Sequence, residues 1–189
     1  MRPEGRRWGW VLKLHIVAFG LLMSLMAAFT ANAGEKIGHV FVKLPEPLPA
    51  PDIAFKDAEG KTRGLVEFRG KLLILYVWAT WCPVCTIDMP NLDRLQAKLN
   101  SRSIAIIPLS IDRGESQIIH SYYKKHGFRF LQIYRDQDSL LAAVMGVRGT
   151  PTAFLINPLG LVIGISEGAA NWDAPEVARA LEEIKPSQK

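Results

Sequence analysis

Cysteine is nearly absent from this sequence: two residues in 189, Cys82 and Cys85. Two residues separate them, so a bond between them closes a very small loop and removes little chain entropy. A stabilising staple normally joins distant segments, and the short spacing favours catalysis instead. Metal-ligand spacing is also missing. Two thiolates are half of a tetrahedral zinc site, and the other half is not visible. His39, His120 and His126 are scattered, none at ligand spacing to the cysteines. Thr86 follows Cys85, which excludes the haem-attachment pattern Cys-x-x-Cys-His. No basic stripe interleaved with aromatics occurs in residues 34–189. The net charge of +5 therefore does not point to a nucleic acid; Arg2, Arg6, Arg7 and Lys13 face only Glu4 at the front of the chain. Internal repeats and signs of a second folded domain are lacking.

What is present divides into three parts. Residues 1–33 have a basic start, an apolar stretch at 16–29 and a small-residue site, Ala31-Asn32-Ala33. The apolar stretch is shorter than the ~20 residues a membrane span needs. This pattern predicts a signal peptide cut before Gly34, or a retained N-terminal membrane anchor. Either one places the protein in the periplasm or another extracytoplasmic compartment. Residues 34–51 carry Pro45, Pro47, Pro49 and Pro51 and predict an extended, semi-rigid linker, or a leader lying against the domain. Residues 52–189 predict one globular domain.

Inside that domain, 52–55 and 61–66 flank Asp57-Ala58-Glu59-Gly60 and predict a β-hairpin. Residues 71–78 form a continuous apolar run, the mark of a strand covered on both faces. A helix is expected at 83–99, kinked at Pro90. A second buried strand is expected at 103–111, a helix at 115–126 closed by Gly127, and a short strand at 130–134. A short helix at 139–145 and a hairpin of strands at 153–156 and 161–166 follow. A last helix is expected from Asp173 to about 184, with Asp173 as N-cap and Glu176 completing a capping box. Strands alternating with helices imply an α/β fold, a central mixed sheet flanked by helices with a β-hairpin ahead of it.

The chemistry gathers at Trp81-Cys82-Pro83-Val84-Cys85. In disulfide exchange the thiolate is the nucleophile. Cys82 would sit at the helix N-terminus, where free N–H groups and the helix dipole favour negative charge. Cys82 is assigned as the attacking cysteine. Cys85, one turn in and more buried, is the resolving one. Trp81 is expected to shield one side of the sulfur and offer a partner an apolar surface.

The run Trp78-Ala79-Thr80-Trp81-Cys82-Pro83-Val84-Cys85 resembles the active-site segment of thioredoxin-fold proteins. Residues 55–62, Phe68-Arg69-Gly70-Lys71, Asp88-Met89-Pro90 and 146–156 are similar to the TlpA/ResA branch of thiol:disulfide oxidoreductases, within the AhpC/TSA superfamily. The resemblance spans 52–184. It implies a thioredoxin-like fold and a thiol–disulfide reaction on partner proteins with no bound cofactor and no metal. It implies that Pro151 is a cis-proline facing the cysteines, which puts the Thr150 backbone beside the sulfurs. Asp88 stands where the branch often has Glu, placed to tune the cysteines or relay a proton to Cys85. Tyr76 stands where thioredoxins have a buried Asp, and Pro83-Val84 replaces Gly-Pro between the cysteines. That dipeptide helps set the potential, which ranges from about −270 mV in thioredoxin to about −120 mV in DsbA.

The expected activity is an exported reductant of partner disulfides, for example in cytochrome c or copper-centre assembly, recharged by a membrane electron donor. The competing readings are a disulfide-forming oxidant of similar fold, a peroxiredoxin-like peroxidase and a Cu(I)-binding module. Cys82 stands where a peroxiredoxin has Thr, and no Met or His flanks the pair to complete a copper site.

Overall fold

The computed structural model describes residues 35–99 and 102–186. The signal or anchor expected at 1–33 lies outside the described residues. No helix among the described residues is long and apolar enough to cross a membrane.

Nine strands form one mixed sheet: β1 (Lys36–Ile37), β2 (Phe41–Pro49), β3 (Phe55–Asp57), β4 (Thr62–Arg63), β5 (Leu72–Trp78), β6 (Ile104–Ser110), β7 (Tyr134–Arg135), β8 (Thr152–Ile156) and β9 (Leu161–Glu167). Their order across the sheet is β1-β2-β9-β8-β5-β6-β7-β3-β4. Among the described residues four α-helices connect or cover them: α1 (Pro83–Lys98), α2 (Gln117–His126), α3 (Leu140–Val144) and α4 (Pro175–Ile184). β5 and β6 are parallel and joined through α1. β8 runs antiparallel to both β5 and β9.

β5 explains the absence of alternation in its sequence. Leu72, Ile74, Tyr76 and Trp78 enter a core shared with α1, α2 and α4. Leu73, Leu75 and Val77 enter a second core with Phe154, Ile156 and Leu141 of α3. Every residue of β5 is buried, so both parities must be apolar. The expected hairpin is present as β3 and β4, with Phe55 opposite Arg63; Gly60 turns it at φ +78, a conformation glycine adopts without strain.

Three expectations are corrected. The linker expected at 34–51 is not found over its described residues, 35–51. Most of this segment is β1 and β2, and β2 pairs antiparallel with β9. Pairing is regular at Val42 and Lys43 and again at Leu48 and Pro49, with the register broken between. Pro45 and Pro47 fall in that break. Proline has no N–H to give a ladder and is tolerated where pairing is interrupted or at an edge. Next, 130–134 is not a strand apart from Tyr134. The amides of Arg129, Phe130 and Leu131 donate to the carboxylate of Asp93 on α1, which takes the donors a ladder would need. Finally, Asp173 does not cap the last helix. Ala174 is the N-cap, with Pro175 opening α4. Asp173 instead accepts from Arg94 (2.9 Å) and Lys98 of α1.

Candidate active site

The C-terminal end of β5 delivers the chain into a short loop, and Cys82 is the N-cap of α1, with extended backbone (φ −87, ψ 111). Pro83 takes the first helical position, where a missing N–H costs nothing. Cys82 and Cys85 form a disulfide, Cα–Cα 5.3 Å. The backbone N–H of Cys85 donates to Cys82 Sγ at 3.1 Å. A helix-start amide thus points at the sulfur that would carry charge once the bond opens, which favours the thiolate. Cys82 is 3% exposed and Cys85 is fully buried. Val84 is half-buried against the core. Trp81 and Ile87 stand largely exposed, at 66% and 68%, and form an apolar border on the motif's outer side.

The loop before Cys82 is tied by a residue the sequence did not single out. Asp112, just after β6, accepts from the Thr80 amide at 2.9 Å and from the Thr80 hydroxyl at 2.7 Å. The Ser110 hydroxyl donates at 2.7 Å to Oδ2, the oxygen that also takes the Thr80 amide. A buried carboxylate needs such donors, and here they fix the backbone two residues ahead of the attacking cysteine. The only sign in the sequence is an acidic residue directly after a buried strand.

Asp88 is 1% exposed, a buried carboxyl and not a solvated one. It lies one helical turn beyond Cys85, on the same face of α1. Tyr76 Oη and Trp172 Nε1 each donate to its Oδ2 at 3.1 Å, and the Ala170 amide also reaches the carboxyl. Burial pushes the Asp88 carboxyl above the usual carboxylate range, and these three donors only partly oppose it. The Tyr76 phenol is driven up by burial and then by the neighbouring Asp88, so it stays a hydroxyl donor. Trp172 was also not foreseen. It comes from the loop before α4 and carries no periodic signal.

The Thr150–Pro151 peptide bond is cis. Thr152 pairs with Val77 on β5, which puts Pro151 at the same end of the sheet as the cysteine loop. The Gly168 amide donates to the Pro151 carbonyl (2.9 Å), and the Thr152 hydroxyl donates to the Gly149 carbonyl (2.7 Å), fixing this turn from both sides. The structure thus gathers Cys82, Cys85, Pro83, Val84 and Asp88 on one helix start, with Thr150 and Pro151 at the same sheet end. Trp81 borders them. Among the described residues no cluster of three or more His, Cys, Asp or Glu is placed to hold a metal.

The AhpC/TSA family model matches residues 48–165. The thiol-disulfide oxidoreductase ResA of Geobacillus thermodenitrificans is 32% identical over 138 residues, 72% of this chain and 76% of that protein. ResA of Bacillus subtilis is 29% identical over 150 residues, 79% of this chain and 82% of that protein. Among solved structures, a Chlorobium tepidum protein assigned as the thiol:disulfide interchange protein DsbE superposes with a TM-score of 0.62 at 26% identity. That match covers 75% of this chain and 95% of the other. A helix-capping Cys-x-x-Cys, a cis-proline at the same sheet end and these relatives agree: the chain belongs to the AhpC/TSA family, has a thioredoxin-like fold and is a protein thiol-disulfide oxidoreductase.

Proposed function

We propose that this oxidoreductase works outside the cytoplasm as a reductant of partner-protein disulfides, such as those formed on the way to a cytochrome c or copper centre, and that a membrane dithiol donor recharges it. The export-type pattern of residues 1–33 supports the compartment. The observation that carries the reaction is the buried Asp88 carboxyl one turn behind Cys85.

In the reduced protein the Cys82 thiolate attacks one sulfur of the partner disulfide. That S–S bond breaks, and its electron pair leaves on the partner's other sulfur. Cys85 then gives its proton to the Asp88 carboxylate and attacks the Cys82 sulfur. The partner's second sulfur leaves as thiolate. The partner gains two electrons, and the Cys82–Cys85 disulfide seen in the structure remains. A base held in the core speeds the second step and releases the partner reduced. In this reading Pro151 and the Thr150 backbone receive an extended partner segment by strand-like pairing, and Trp81 gives it apolar cover.

The test is trapping. A Cys85→Ser variant is expected to hold an exported partner as a mixed disulfide on Cys82, and Cys82→Ser is expected to be inactive. Full activity in Cys82→Ser would remove the reading. A measured potential nearer to about −120 mV than to about −270 mV would reverse the direction and make the protein an oxidant.

A further inference from the structure

Two aromatic donors meet at one oxygen behind the dithiol. Tyr76 comes from β5 and Trp172 from the loop before α4, and both side chains are fully buried. Their rings meet edge to face, centroids 5.9 Å apart and planes at 89°. Phe41 of β2 also packs edge to face with Trp172, centroids 5.5 Å apart. Held this way, neither ring turns without displacing its neighbour. Tyr76 Oη and Trp172 Nε1 both donate to Oδ2 of Asp88. A carboxyl oxygen offers two lone pairs, so Oδ2 has no room for a proton. In the neutral acid the proton stands on Oδ1.

We propose that Tyr76 and Trp172 are positioning residues for the redox reaction: together they fill Oδ2 of Asp88 and confine the proton exchanged with Cys85 to Oδ1. The inference rests on the reading of Asp88 as the proton acceptor for Cys85. When Cys85 attacks, its S–H proton moves to Oδ1. The S–H electron pair forms the new bond to the Cys82 sulfur, and the bond from Cys82 to the partner breaks with its pair on the partner's sulfur. In re-reduction the same proton returns to Cys85 as its sulfur leaves Cys82.

The groups facing Asp88 are few. Tyr76 faces it from β5 and Trp172 and the Ala170 amide from the loop before α4, while Cys85 stands one turn earlier on its own helix. Tyr122 of α2 acts on Tyr76 from behind. Two of the three donors opposing the burial of Asp88 are therefore side chains that can be removed one at a time.

The experiment follows the reduced full-length protein as it is oxidised by excess glutathione disulfide. Release of the second glutathione is measured across pH for the parent, Tyr76→Phe, Trp172→Phe and Asp88→Asn. Each Phe keeps a buried ring and deletes one donor to the anion. The limb on which Asp88 loses its proton is expected to move up by about one pH unit in either Phe variant. In Asp88→Asn that limb is expected to vanish. A merely structural role would lower the melting temperature and leave the limb in place. Phe variants with the parent limb, beside an Asp88→Asn variant without it, would overturn the positioning role and keep the Asp88 reading. A parent-like limb in Asp88→Asn would overturn both.

Discussion

Asp88 and Asp112 are two carboxylates of equal chemistry and nearly equal burial, 1% and 3% exposed, on either side of the cysteine loop. Asp112 spreads its bonds over both oxygens and spends them on the chain that leads into Cys82. Asp88 takes two aromatic side-chain donors, Tyr76 and Trp172, on a single oxygen. The first is a tie whose removal loosens the loop. The second is held in a setting where burial outweighs its donors and raises the carboxyl above its usual range. Burial alone does not tell a structural carboxylate from a proton-exchanging one. What the donors belong to, and how they divide between the oxygens, does.

The largest expected effect separates the two sites outright. Asp112→Ala leaves the Thr80 amide, the Thr80 hydroxyl and the Ser110 hydroxyl without their acceptor, and is expected to cost about 3 kcal/mol in urea unfolding. A loss under about 1 kcal/mol would break the comparison, because Asp112 would then not be a tie. Asp88→Asn is next and concerns pH. Folded Asp88 keeps its proton to a higher pH than in the unfolded chain, where an Asp titrates near 3.9. Stability from the neutral acid is therefore complete below about 3.9 and is lost as pH rises through the raised folded value. Urea titrations of the disulfide form are expected to show this fall in the parent and a flatter curve in Asp88→Asn. Matching slopes would show that Asp88 carries no raised value.

A third carboxylate gives the surface reference. Asp173 pairs with Arg94 and Lys98 while partly exposed, and Asp173→Asn is expected to cost less than about 1 kcal/mol, shrinking further in added salt. The smallest effect on stability is expected from Trp81→Ala, within about 0.5 kcal/mol, since that ring is mostly in solvent. Its effect lies elsewhere: turnover of a protein disulfide falls, while oxidation by glutathione disulfide continues at the parent rate. Equal loss with both substrates would assign Trp81 to the sulfur chemistry and not to docking.

The core of this arrangement was legible in the sequence because its signals are local. Cys82 and Cys85 sit three positions apart at a strand-to-helix junction, and β5 declares its double burial by an unbroken apolar run. The resemblance supplied the cis bond at Pro151, which spacing alone does not reveal. The rest depended on contacts between distant segments. The prolines of 34–51 read as linker because a proline-rich strand is allowed only where its pairing lapses, and a partner like β9 is not visible from the strand itself. Asp93 captures the amides at 129–131, so a residue 36 positions upstream dissolves an expected strand. Trp172 and Asp112 stand in loops, outside any period, and their roles exist only once the sheet has brought Asp88 and Thr80 to them.

Phe41 gives the first strand a reach beyond its own edge of the sheet. Its ring backs Trp172, and Trp172 holds the acid behind Cys85. Trimming the chain to a minimal piece that starts at the β3–β4 hairpin would spare both cysteines, the cis-proline and all of β5, yet would take the outer wall from the indole and admit water toward Asp88. A sensible-looking truncation would thus yield a protein that still cycles its disulfide while answering to pH differently. The leading segment of the domain works as a wedge, and its absence would be read out in electrons and protons as well as in melting temperature.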